Sequence, residues 1–136
     1  MINIYQRSMR DIKMRFFNII TKTMHFCNLS DASPFYKCHE YEITDFVPME
    51  FTGNFDKHRG AIYESDIVLL KGQLGLVIYL EGMSRFTVLS AGKSGLSVDW
   101  HLDWYLEEEK EILGNFHQNA DLLKDYEFFN ALSRNM

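Results

Sequence analysis

Apolar and polar residues alternate near the start of the chain, and this is the pattern of a half-buried β-strand. Apolar side chains occupy every second position over residues 12–16, with Lys13 and Arg15 between them. We therefore expect both charged side chains to face solvent. A turn over residues 18–22 and a second strand over residues 24–27 would complete a hairpin.

The next segment predicts a loop and then another strand. Residues 28–34 are rich in Asn, Ser, Asp and Pro, which favour turns and loops. Alternation returns over residues 36–47, with Tyr41 and Ile43 as the inward pair. Pro48 is expected to break that strand or to place it at a sheet edge.

Three apolar runs in the middle of the chain predict an antiparallel meander. They cover residues 66–70, 76–80 and 85–89, with turns expected at residues 72–75 and 81–82. A sheet of this kind must curl to bury its apolar face, which favours a small barrel or roll.

The last third predicts two further strands and a helix. After a turn at residues 92–95, residues 96–102 alternate as a strand, and the acidic residues 103–110 suggest a short helical turn. Residues 112–116 form the last predicted strand. Apolar residues at helical spacing then predict an α-helix that begins with Asn119 as its cap.

Length and composition fit a single globular domain that is mainly β. The chain has 136 residues and is 46% hydrophobic, with eleven Phe, seven Tyr and two Trp. A domain of this size can bury roughly two-thirds of the surface that its unfolded chain exposes. One core can therefore form without metals or disulfides.

The charge distribution leaves two partner classes open. A net charge of -5 argues against a protein that binds nucleic acid chiefly through phosphates. The first 22 residues are nevertheless basic, and a nucleic-acid-binding face using Arg10, Lys13, Arg15 and Lys22 is the alternative to a protein-binding function.

Cysteine content and hydropathy predict a cytoplasmic protein that does not cross a membrane. Only Cys27 and Cys38 are present, and there is no secretory signal pattern and no apolar run of about 20 residues.

Two motifs suggest ligands but lack the spacing that their chemistry needs. Gly92-Lys93-Ser94 resembles the end of a phosphate-binding loop, yet Thr87 stands where the motif needs glycine, and a predicted strand follows instead of a helix. The group His25, Cys27, Cys38 and His39 lacks zinc-finger spacing, and adjacent strand residues point to opposite faces. We predict no cofactor and no metal.

Polar clusters elsewhere are better explained by structure than by catalysis. His101, with Asp99 and Asp103 near it, is the most site-like group, but an exposed strand face explains it. The acids at 107–109 and 111 fit a solvated surface. Asp56, His58 and Asp66 are expected to serve turns: Asp56 by accepting backbone hydrogen bonds, and Asp66 by fixing the start of a strand. We predict that the protein is not an enzyme.

Four segments resemble the YopX family of small proteins encoded by bacterial phages and prophages. Residues 9–15 resemble the family's basic opening strand, and residues 76–79 fall where it has a Gly-Val-Val-like strand. Residues 51–68 resemble its central block, an aromatic-Thr-Gly turn, an Asp-Lys turn and Ile-Tyr-Glu-Gly-Asp-Ile-Val. Residues 111–119 resemble its closing Ile-Gly-Asn-Ile-Tyr-Glu-Asn segment.

This chain departs from the family pattern at three positions. Ser65 replaces the usual Gly, Gly60 lies one place later than in the usual Asn-Gly pair, and Ala120 replaces Pro. The resemblance begins at Met9, so residues 1–8 are predicted to be a poorly ordered upstream extension and residues 9–136 a single domain.

The resemblance implies an SH3-like barrel or roll of antiparallel strands with a C-terminal α-helix, and it implies no known catalytic residue, cofactor or ligand. We expect an accessory protein in the bacterial cytoplasm that binds an unidentified protein and forms a homo-oligomer. Its expected binding surface consists of six residues: Arg10, Lys13, Arg15, Asp56, His58 and Tyr63.

Overall fold

A computed structural model describes residues 13–28, 45–92 and 95–124. In these residues the chain is mainly β and its paired strands are antiparallel, as predicted. The chain divides into two compact units, Met1–Phe51 and Thr52–Met136. The inward-facing residues predicted for the strand over 36–47, Tyr41 and Ile43, lie outside the described residues, and so does most of the loop predicted before that strand.

The first unit contains the predicted N-terminal hairpin. Strand β1 (Lys13–Asn18) pairs with β2 (Thr23–Asn28) on one side and with β3 (Phe46–Phe55) on the other. The Asn18 side chain shapes the turn, since its Oδ1 accepts the N–H groups of Ile20 at 2.9 Å and of Thr21 at 3.1 Å. The hairpin prediction is confirmed.

Two expectations for this unit are wrong. Arg15 is only 5% exposed, and it is one of four successive buried residues of β1, 15–18. Alternation identified the two faces of the strand but not that both are covered here. Pro48 does not break its strand, because it pairs with Phe16 within β3, and β3 is not an edge strand, because it lies between β1 and the strand Ala61–Tyr63.

The second unit contains a five-stranded antiparallel sheet. Its strands are β5 (Asp66–Leu70), β6 (Gln73–Leu80), β7 (Arg85–Gly92), β8 (Gly95–His101) and β9 (Lys110–Asn115), in the order β8-β7-β6-β5-β9. The predicted meander is confirmed as β5, β6 and β7, and the last predicted strand, β9, pairs with β5. Strand β4 (Ala61–Tyr63) is hydrogen-bonded to β3.

Apolar side chains cover both faces of this sheet. Val68 and Leu70 lie in one buried cluster with Leu102, while Ile67 lies in a second cluster with Phe116 and Leu123. Neighbouring residues of a strand point to opposite faces. A strand buried on both faces reads as a continuous apolar run, which is why β5 lacks alternation.

The turn between β5 and β6 is shorter than predicted. Lys71 and Gly72 form it, with φ of 47° and 81°, which is the left-handed pair of a two-residue hairpin turn. Gly75 lies inside β6, where an added Cβ would come 2.2 Å from Cγ1 of Val88. The second glycine of the predicted turn is thus required by packing.

Short 3-10 helices connect the last strands. Leu102–Trp104 and Glu107–Glu109 fulfil the predicted helical turn between β8 and β9. Ala120–Leu123 is also a 3-10 helix, and the rest of the predicted C-terminal α-helix lies outside the described residues. Within the described ranges, no helix is long and apolar enough to span a membrane.

Candidate functional site

Asp56 organises the turn between β3 and β4 by accepting three backbone hydrogen bonds. Its Oδ1 accepts the N–H groups of His58 at 3.0 Å and of Gly60 at 2.8 Å, and its Oδ2 accepts that of Ile112 at 3.0 Å. Because Ile112 belongs to β9, the same carboxylate ties the turn to the sheet. The prediction that Asp56 serves a turn is confirmed.

The hydrogen bonds keep this buried carboxylate charged. Burial alone would raise the pKa of Asp56, but the backbone N–H groups of Ile112, Gly60 and His58, helped by the charge of His58, lower it overall. Both carboxylate oxygens are already occupied by N–H donors. Asp56 is therefore placed as a structural anion.

Asp66 plays the corresponding part at the start of β5, as predicted. Its Oδ2 accepts the N–H of Tyr63 at 2.8 Å across the turn between β4 and β5. Ser65, in that turn, has φ of 72°, and Arg59 in the preceding turn has φ of 64°. These left-handed conformations favour glycine, whereas this chain has serine and arginine there.

The closing segment is a turn held by two asparagines. Asn115 Oδ1 accepts the N–H groups of His117 at 3.1 Å and of Gln118 at 3.0 Å. Asn119 Oδ1 accepts the N–H of Asn115 at 3.1 Å and makes no hydrogen bond to the 3-10 helix that follows it. Asn119 was expected to cap a helix, but its side chain turns back to the end of β9 instead.

Lys110 is a buried lysine at the start of β9. It is 3% exposed, and its Nζ donates to Asn54 Oδ1 at 3.0 Å, while Asn54 Nδ2 donates to Asp103 Oδ1 at 3.0 Å. Burial lowers the pKa of Lys110, and the charges of Asp103 and Glu107 oppose that change in part. Asn54 thus connects the β3–β4 region to the segment before β9.

That segment, residues 102–109, displays two large apolar side chains, and we call it the Trp104 loop. Trp104 is 70% exposed and Leu106 is 62% exposed. Between them Tyr105 packs against the first buried cluster, where burial raises its pKa, and Leu102 lies inside that cluster. Core residues therefore hold the loop in place while its neighbouring side chains project outward.

Polar contacts also hold the second half of the Trp104 loop. Glu109 Oε1 accepts the N–H of Leu106 at 2.8 Å, and Glu109 Oε2 lies 2.8 Å from Lys71 Nζ. A second ion pair joins Lys57 and Glu111. Both pairs line a groove of about 270 Å³ that includes residues 108–111. This groove gathers two pairs of opposite charges.

The six residues expected to form a binding surface have varied surroundings. In the first unit, Lys13 is half-buried with its Nζ 5.5 Å from the centre of the Phe51 ring, and Arg15 is buried; Arg10 lies outside the described residues. In the second unit, His58 is exposed, whereas Asp56 and Tyr63 are buried. The structure brings Asp56 and His58 together in one turn.

The structure describes only parts of the phosphate-loop motif and of the His-Cys group considered as zinc ligands. Strand β8 follows Gly92, as predicted, whereas the phosphate-binding motif requires a helix there; Lys93 and Ser94 lie outside the described residues. Cys27 is half-buried in β2, and Cys38 and His39 are not described. No group of three metal-binding side chains occurs in residues 13–28, 45–92 and 95–124.

Sequence reasoning missed Trp104, Leu106 and Lys110. The available signal was the order Asp-Trp-Tyr-Leu-Glu at residues 103–107, in which two apolar residues flank a central aromatic within an acidic segment. Which of the three turns inward depends on the cluster beneath the loop, so local sequence could not decide it.

The fold and its turns define a mainly β protein built from antiparallel strands and polar side chains that fix tight connections. The model of the YopX protein family matches residues 3–124, and the chain belongs to that family. No curated protein is similar enough to count as a match.

One solved structure with a related fold is the crystal structure of protein EF1440 from Enterococcus faecalis. It is 17% identical in sequence, with a TM-score of 0.54, and the alignment covers 82% of this chain and 97% of that one. At this identity the similarity concerns the fold alone.

Proposed function

We propose that this protein is an accessory protein of bacterial phages or prophages that acts by binding other proteins and not by catalysis. The observation that carries the proposal is the exposure of Trp104 and Leu106 on a loop whose neighbouring residues are fixed in the core. Large apolar side chains at a rigid surface are typical anchors of protein interfaces.

The surroundings of the Trp104 loop favour binding over chemistry. Its acids are held in ion pairs or lie at the surface, and the buried Lys110 amine is engaged by Asn54. The predicted bacterial cytoplasmic location, homo-oligomer, SH3-like barrel and C-terminal helix stay part of this proposal.

Affinity capture with matched variants tests the proposal. The tagged protein would be expressed in bacteria that carry the natural genetic element, and captured proteins would be quantified for wild type, Trp104→Ala/Leu106→Ala and Ile20→Ala. Ile20, in the first unit, is 62% exposed, the same as Leu106, and serves as the control.

We expect the double variant to lose a partner that wild type and Ile20→Ala both retain. Equal capture by all three would contradict the proposal. A nucleic-acid partner would instead appear as direct binding of DNA or RNA at low salt that falls steeply as salt is added. The burial of Arg15 removes one of the basic residues that this alternative would use.

A further inference from the structure

Contacts to the core and to polar side chains hold the Trp104 loop on either side of its exposed apolar pair. Leu102 and Tyr105 are packed into the cluster beneath the loop, and Glu109 holds the backbone of Leu106. Asn54 holds Asp103 at the other end. Binding through such a loop costs little ordering entropy, so its apolar contacts can contribute most of their energy to affinity.

Acidic side chains surround these anchors. The segment from Asp103 to Glu111 has five acids, of which Glu109 pairs with Lys71 and Glu111 with Lys57, and a single base within it, Lys110. That base is buried with its amine on Asn54, so its charge lies beneath the surface. Glu107 and Glu108 are exposed next to Leu106. The loop thus presents apolar anchors within a negative field.

We propose that the Trp104 loop binds a protein segment in which lysine and arginine side chains surround an apolar centre. This inference rests on the proposed function and names the chemistry of its partner. Charge complementarity selects the occupant, because phosphate groups, anionic lipid and a second copy of the same acidic loop would all be repelled. A single loop offers a small contact area, which suits a short segment better than a large flat interface.

Synthetic peptides of equal length provide the probe. Three sets would share the same apolar centre and differ in their flanks, which would be lysine and arginine, serine and glycine, or aspartate and glutamate. Binding to the full-length protein would be followed by fluorescence anisotropy at about 0.05 M and about 0.3 M salt, since screening weakens exposed charge pairs. We expect the basic set to bind most tightly and to weaken at the higher salt.

Two matched pairs of variants separate the contribution of the apolar anchor to binding from that of the acidic side chains. Trp104→Ala should weaken binding of the basic peptides at least about tenfold, as loss of an interface anchor does, and Ile20→Ala should leave it unchanged. Glu107→Gln/Glu108→Gln should weaken it about threefold or more at low salt. Glu81→Gln/Asp121→Asn has the same net charge, and its changes are at exposed acids outside the loop, so it should bind like wild type.

The outcomes distinguish this inference from the function on which it rests. Equal affinity for neutral and basic peptides would overturn the inference that the partner is basic, and so would equal losses of affinity in the two charge variants. Either result would leave the loop as an apolar contact site. An unchanged affinity in Trp104→Ala would overturn the inference as well. Cellular capture that does not depend on Trp104 and Leu106 would instead overturn the proposed function. Thermal melting of each variant would confirm that it is folded.

Discussion

At the end of β9, the side chain of Asn119 fills the space that a side chain on Gly114 would need. A Cβ atom added to Gly114 would lie 2.5 Å from Oδ1 of Asn119, the same oxygen that accepts the N–H of Asn115. Because Gly114 has no side chain, the Asn119 side chain has room to accept the N–H of Asn115, four residues earlier in the chain. This contact gives a physical reason for glycine at position 114 and asparagine at position 119 in the closing segment.

Replacing Gly114 by alanine should destabilise the protein by about 2–3 kcal/mol, because Asn119 must move and the Asn115 N–H loses its acceptor. Urea unfolding would measure the loss. Gly82→Ala is the control, since nothing lies within 4 Å of the added methyl group. The two costs of Gly114→Ala and Asn119→Ala should not add in the double variant. Full additivity would contradict the contact.

Ser65→Gly should stabilise the protein by up to about 1 kcal/mol, because glycine adopts the left-handed conformation without the strain that serine bears. Differential scanning calorimetry would detect the higher Tm. Glu64→Gly, in the same turn, should lower the Tm. Glu64 does not have a positive φ, so glycine there relieves no strain and only increases the conformational entropy of the unfolded chain. A lower Tm in Ser65→Gly would refute this explanation.

Asp56→Asn should destabilise the protein by about 2–4 kcal/mol, since an amide nitrogen would face an N–H donor in a buried turn. The wild type should also lose stability in acid. The pKa of Asp56 is lower folded than unfolded, so its contribution is present above the unfolded value of about 3.8 and disappears as the pH falls through the folded value. Urea unfolding at a series of pH values would follow this loss.

In Asp56→Asn the acid-dependent part of the stability should be smaller than in wild type. Asp121→Asn, at an exposed acid, is the matched control and should keep the wild-type dependence. Identical pH profiles for all three proteins would show that Asp56 does not anchor the turn as a charged group.

Lys110 should make stability depend on alkaline pH. Its pKa is lower folded than unfolded, so the unfolded chain binds more protons between the folded value and about 10.5, and stability rises with pH in that window. Comparing wild type with Lys110→Met by urea unfolding between about pH 7 and about pH 10 isolates the effect. Lys124→Met is a control at an exposed lysine. Parallel profiles for wild type and Lys110→Met would exclude this role.

Turn chemistry was the part of the fold that the sequence predicted best. Asp56 and Asp66 were expected to serve turns because their residue type and position suit local hydrogen bonds, and both do. Burial was harder to predict. Arg15 alternates with apolar residues yet is buried, because both faces of β1 are covered over residues 15–18, and what covers a strand depends on distant parts of the chain.

The candidate site depends on the same long-range information. Gly75 looked like a turn residue, but contact with Val88 in the next strand requires glycine there. Trp104 and Leu106 are exposed because Leu102 and Tyr105 occupy the space in the cluster beneath them. Composition shows that an acidic segment contains aromatic residues, but only packing determines which of them faces solvent.

The most direct measurement of the central claim is photo-crosslinking from the Trp104 loop in living bacteria. A photoreactive phenylalanine analogue would replace Trp104 in one strain and Ile20 in another, and crosslinked products would be separated by mass. The proposed function predicts a discrete protein adduct from position 104 that is absent from position 20. Adducts of the same masses and amounts from both positions, or none from position 104, would contradict it.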